Sequence, residues 1–127
     1  MKLYFAIIFI AINSAIGFGQ SAEFKFLSST THKWDKTPEG ELLEHYFVYE
    51  NSGDAPLTIN DAKVSCSCTK IDYPNAPTLP GEQDSIRVTF NTEGKFYMQD
   101  RKIEIYSNAS RKEKLRIKVF VIPKEED

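Results

Sequence analysis

Hydrophobic and polar positions alternate with a period of two over most of this chain. Leu43, His45, Phe47 and Tyr49 fall on one face of the segment Leu42 to Glu50. Such alternation, in a stretch rich in aromatic and β-branched residues, predicts a half-buried strand. Leu57 and Ile59 restart the pattern, which runs on through Val64, and Ile71-Asp72-Tyr73 adds a short piece. Further along, Ile86, Val88 and Phe90 alternate with Ser85, Arg87 and Thr89, and Ile103 and Ile105 with Lys102 and Glu104. Leu115, Ile117, Val119 and Val121 alternate with Lys114, Arg116 and Lys118, and Phe24 and Phe26 stand in phase near the start. No window carries a capped helical stripe.

Turn chemistry separates these runs. Thr37-Pro38-Glu39-Gly40, Asn51-Ser52-Gly53-Asp54, Asn91-Thr92-Glu93-Gly94 and Ser107-Asn108 each interrupt the alternation. Proline presets the φ of a turn's first central residue and glycine tolerates its exit. The segment holding Pro74, Pro77, Pro80 and Gly81 is excluded as an inner strand, because proline has no N–H for a ladder. About seven strands with such spacing predict an all-β fold, an Ig-like antiparallel β-sandwich. Trp34, in the polar stretch from Ser28 to Glu41, reads as a core plug at the sandwich edge.

The first nineteen residues break the pattern. Lys2 precedes an apolar run from Leu3 to Ile12, with Gly17 and Gly19 at the −3 and −1 places of a cleavage before Gln20. A run of about ten residues is half of what a membrane span needs, so residues 1–19 read as a signal peptide. Residues 20–127 then form one domain with no membrane span, exported to the periplasm, the cell surface or the medium. No cysteine follows the apolar run to carry a lipid. The formal charge of the whole chain is −2, which argues against non-specific attraction to nucleic acid or to anionic membrane. The basic residues Lys114, Arg116 and Lys118 alternate with apolar ones and read as a solvated strand face, and Lys124 to Asp127 as a solvated tail.

The motifs also line up as a series: Phe47 to Leu57 with its Asn51-Ser52-Gly53-Asp54 turn, Ser65-Cys66-Ser67-Cys68-Thr69, Pro80-Gly81-Glu82, Asn91-Thr92-Glu93-Gly94-Lys95, and Ser107-Asn108. That series resembles an uncharacterised family of secreted bacterial domains of unknown function with an Ig-like fold. The family is similar to the hydin-like Ig domains of cilium and centrosome proteins. The resemblance covers about Ser28 to Val121. It implies the fold and supplies no activity. Two positions depart from the family: Ser67 stands where glycine is usual between the cysteines, and Tyr97 replaces a second glycine. The second departure predicts a different hairpin, with Phe96, Tyr97 and Met98 exposed.

Cys66 and Cys68 are the one distinctive chemical feature. Residues two apart on a strand share a face with Cα atoms about 6.6 Å apart, near the upper limit of about 6.8 Å for a disulfide. A bond therefore requires the chain to bend. So small a loop gives about 1.5 kcal/mol in the chain-entropy model. Four readings stand: a strained disulfide, a reduced pair packed as small hydrophobes, a metal site, and a thiol redox centre. A metal needs two further ligands, for which His32, His45 and Met98 are the candidates. His45, in phase with Phe47, is expected at a strand end, satisfied by a backbone group. A redox centre needs a cation or helix end to favour the thiolate, and Lys63 and Lys70 flank the pair.

Other chemistry is thin. Asp35, Glu39, Glu41 and Glu44 read as solvating acids, no serine has a triad signature, and no phosphate loop or cofactor motif is present. Asn108-Ala109-Ser110 and Asp84-Ser85-Ile86 match short glycosylation tripeptides. The composition therefore points to a non-enzymatic interaction module with a protein or cell-envelope partner. Its candidate contact surfaces are Phe96-Tyr97-Met98 and the loop from Pro74 to Pro80. The alternative is a thiol redox or metal-handling protein built on Cys66 and Cys68.

Overall fold

The computed structural model describes residues 20–125; the expected signal peptide lies outside the described residues. Nine strands follow one another: β1 (Phe24–Phe26), β2 (Thr31–Lys33), β3 (Thr37–Pro38), β4 (Leu42–Asn51), β5 (Ile59–Val64), β6 (Thr69–Asp72), β7 (Gln83–Asn91), β8 (Tyr97–Ser107) and β9 (Glu113–Ile122). They form a four-stranded sheet of order β1-β4-β7-β6 and a five-stranded sheet of order β2-β9-β8-β5, with β3 also on β9. The expected sandwich is therefore present. The two additional strands, β2 and β3, come from the polar stretch and run parallel to β9, unlike the antiparallel remainder. Neither shows apolar alternation, because each is a short edge piece held by backbone pairing. Pro38 is tolerated there because an edge position needs no donor on its open side.

The predicted inward positions meet between the sheets. Phe47, Tyr49, Ile86, Val88 and Phe90 face Ile103, Ile105, Leu115, Ile117, Val119 and Val121, all at most 2% exposed. Leu57 and Ile59 lie inward too, but the register slips between Ile59 and Asp61, a bulge that turns Asn60 and Asp61 both outward. The slip returns Ala62 and Val64 to the core side and reconciles one apolar run with two phases.

A buried polar residue joins the loops at one end. Asn51 is 0% exposed; its Nδ2 donates to the carbonyls of Ala55 (2.8 Å) and Thr78 (2.9 Å). Its Oδ1 accepts from Gly53 N (3.0 Å) and Glu23 N (3.3 Å). With its side-chain amide satisfied, the residue contributes fixed geometry rather than a burial penalty. Gly53 is required by close approach: a Cβ there would stand 2.1 Å from the Ser21 carbonyl oxygen.

Candidate interaction surfaces

The cysteines occupy the turn that carries the chain from β5 in one sheet to β6 in the other. The bend brings their Cα atoms to 5.2 Å and joins the sulfurs as a disulfide. Cys68 N donates to Cys66 Sγ (3.2 Å), and Asn91 N donates to the Cys68 carbonyl (2.9 Å). Ser67 does not have positive φ, so this turn closes without the freedom of a glycine. Cys68 is half-buried and borders a shallow depression of about 510 Å³ that Lys70 and Arg87 also line. Lys63 goes elsewhere, its Nζ lying 4.9 Å from the Tyr106 ring centroid on β8, within its own five-stranded sheet.

His45 does not join the cysteines. Its ring stacks on His32 with centroids 3.6 Å apart and planes 8° from parallel. The pair spans the two sheets, since His32 is on β2 and His45 on β4. Trp34 meets His32 edge-on (5.0 Å) and Phe47 meets His45 likewise (4.6 Å). Burial lowers both imidazole pKa values, and repulsion from His32 lowers that of His45 further. Both rings are therefore held neutral at pH 7. A second imidazole, not the expected backbone group, is what His45 packs against. Trp34 fills this margin of the sandwich as predicted, with Nε1 donating to the Glu44 carbonyl (3.2 Å). Among the described residues no group of three or more His, Cys, Asp or Glu side chains is arranged to hold a metal ion.

The acids of the 35–44 region separate. Glu44 pairs with Arg87 (2.6 Å), which also reaches Asp72 (3.2 Å); hydrogen bonding to Arg87 lowers the Glu44 pKa. Glu39 caps backbone, accepting from Gly94 N (3.0 Å) and Lys124 N (3.1 Å). Lys124 is thus tied at its backbone, while its side chain stays exposed as expected of a solvated tail. The loop from Pro74 to Pro80 is tied down by paired backbone bonds between Leu57 and Thr78. It presents Leu79 to solvent.

The third candidate is exposed as expected: Phe96 is 51%, Tyr97 62% and Met98 51% accessible. The hairpin differs from the expectation in its cause. Tyr97 has φ 64°, the one non-glycine residue with positive φ among those described. It keeps the left-handed conformation that glycine adopts freely, at about 1–2 kcal/mol for an L-residue. Alternation along β8 would place Tyr97 with Gln99 and Arg101 on the inner side. Instead its ring lies 6.0 Å from that of Phe120 on the outer face. Ile122, 46% exposed, follows Phe120 on the same face of β9.

A family model described as a protein of unknown function, DUF1573, matches residues 24–121; the chain belongs to that family. Its sandwich is similar to a Porphyromonas gingivalis protein of unknown function (TM-score 0.66, 15% identity), covering 80% of this chain and 46% of that one. It is similar also to the ASH/PapD-like domain 7 of human CEP192 (TM-score 0.56, 13% identity, 83% and 87% covered). The Vibrio cholerae VesB protease contains a further similar region (TM-score 0.61, 14% identity, 79% and 32% covered). This chain thus spans less than half of the Porphyromonas protein and about a third of the protease. At such identities the likeness shows an Ig-like, PapD-like fold. No curated protein matches the chain.

Proposed function

We propose that this domain is a non-enzymatic, exported interaction module of the periplasm or cell surface, and that Phe96, Tyr97 and Met98 form its contact surface. One observation carries the reading: the chain accepts a left-handed backbone at Tyr97, and the ring lies outside the core beside Phe120. Strain at an exposed aromatic is typical of a position kept for contact rather than for packing. The test is a photocrosslinking residue at position 97 in cells that export the chain, with one at Tyr46 as control. A discrete adduct at 97, to protein or to lipid, and none at 46 is the expected result. Equal labelling from both positions, or from neither, overturns the assignment of this surface.

The alternative reading, thiol exchange at Cys66 and Cys68, draws on the depression that Cys68 shares with Lys70. A neighbouring ammonium group favours a thiolate. Rapid alkylation of both sulfurs in protein isolated without reductant would support it; two unreactive sulfurs would leave a structural staple.

A further inference from the structure

The outer face of the five-stranded sheet has a charge distribution that the net charge of −2 conceals. Outward positions on its strands carry Lys33, Lys63, Lys102, Lys114, Arg116 and Lys118, against Asp61, Asp100 and Glu104. Like charges stand side by side at two places, Lys102 beside Arg116 and Lys33 beside Lys118, while Glu104 stands beside Lys114 and Lys63, and Asp100 beside Lys118. Direct cross-strand repulsion of this kind is destabilising. Asp100 offsets part of it, its Oδ1 lying 3.0 Å from Arg116 Nε, but six cations still face three carboxylates on these strands.

The same face ends in apolar side chains. Along β9 the outward residues read Lys114, Arg116, Lys118, Phe120 and Ile122, three cations and then two hydrophobes. Met98 on β8 pairs with Phe120, and the left-handed turn at Tyr97 adds a fourth aromatic or apolar group to that end. Cations and exposed hydrophobes therefore share one surface.

We propose that this face docks on an anionic lipid bilayer, with Tyr97, Met98, Phe120 and Ile122 entering the headgroup region and the lysine and arginine row lying over lipid phosphates. The proposal deepens the interaction-module reading and rests on it. Peripheral binding of this kind combines buried apolar area with attraction to acidic lipid. An acidic polysaccharide would engage the cations but leave the apolar end without a role; a bilayer engages both. Among the described residues no helix is long and apolar enough to cross a membrane, so the association is with the surface.

The experiment is cosedimentation of the processed chain, its N-terminus checked by mass to lie beyond the apolar run, with vesicles. The vesicles contain phosphatidylglycerol in phosphatidylcholine, or phosphatidylcholine alone. Expected is binding to the anionic vesicles, weakened by salt, and at least about tenfold weaker binding to neutral ones. Lys102→Glu with Arg116→Glu reduces it by about tenfold or more. Tyr97→Ser with Met98→Ser reduces it at high salt most, where the apolar contribution remains. Lys25→Glu with Lys70→Glu, on the other sheet, leaves it unchanged, and circular dichroism checks that each variant is folded. Absence of binding, equal binding to neutral vesicles, or indifference to the charge reversals overturns the proposal. Retention on heparin without vesicle binding identifies an acidic glycan instead and also overturns it. A protein adduct at position 97 without vesicle binding defeats this proposal alone; failure of both experiments defeats the interaction-module reading with it.

Discussion

The two open margins of the sandwich are closed by different means. On the β5–β6 side the sheets are joined by a turn of four residues and the Cys66–Cys68 disulfide inside it. On the β2–β4 side a layer of side chains does the work: Trp34, His32 and His45 against Phe47 and Phe90. The first margin is local in sequence, with partners two residues apart. The second joins residues 32 and 45 across a chain reversal. A crosslink between residues that were already neighbours removes little entropy from the unfolded chain. A large indole removed from water contributes more, in proportion to the area buried. The distinctive chemical feature is therefore the lesser contributor to stability, and the margin without a motif is the greater.

The largest expected effect breaks the side-chain margin. Trp34→Ala should lower unfolding stability by about 3 kcal/mol, at the low end for aromatic truncation because Trp34 is only partly buried. Its urea midpoint should fall with the slope unchanged. Next comes the covalent margin: Cys66→Ser with Cys68→Ser should lower stability by about 1.5 kcal/mol. A loss in the double cysteine variant larger than that in Trp34→Ala would reverse the comparison.

Tyr97, outside both margins, gives a change of opposite sign. Tyr97→Gly relieves the left-handed backbone and should raise stability by about 1 kcal/mol. An unchanged midpoint would mean that contact with Phe120 offsets the strain.

The smallest effect is expected from the imidazole stack, whose rings remain partly exposed to screening water. Both histidines have a folded pKa below the unfolded value of about 6.5. The unfolded chain thus binds more protons just below that pH. The stabilisation is complete above about pH 6.5 and is lost as the pH falls through 6.5 toward the folded values. Chemical unfolding between pH 7.5 and 5, compared with His45→Phe, isolates this contribution: the variant should lose part of the dependence, and an identical slope in both would sink the idea.

Much of this molecule was legible in its sequence. The alternation at Phe47, Tyr49, Ile86, Val88, Phe90 and from Leu115 to Val121 predicted the core, because strand side chains take opposite sides at every step. The bulge at Ile59 and Asp61 was not legible, since a slip in pairing depends on the partner strand. Strands β2 and β3 were hidden for the same reason: Thr31–Lys33 and Thr37–Pro38 are strands only because β9 offers them an edge. Asn51 looked like an ordinary turn residue, and its fourfold hydrogen bonding required Thr78 and Glu23 to arrive from elsewhere in the chain.

The same division holds for the surfaces. Exposure of Phe96, Tyr97 and Met98 followed from a residue other than glycine in a glycine place, but the direction of the Tyr97 ring did not. Lys114, Arg116 and Lys118 were visible as a solvated strand face. Their alignment beside Lys102 and Lys33 needed the registers of β8 and β2. Periodicity, turn chemistry and the inward side of each strand are local properties, set by backbone geometry over a few residues, and these the chain determines by itself. Register, the neighbour across the strand, and the meeting of His32 with His45 depend on contacts between distant segments, and only tertiary packing selects among them.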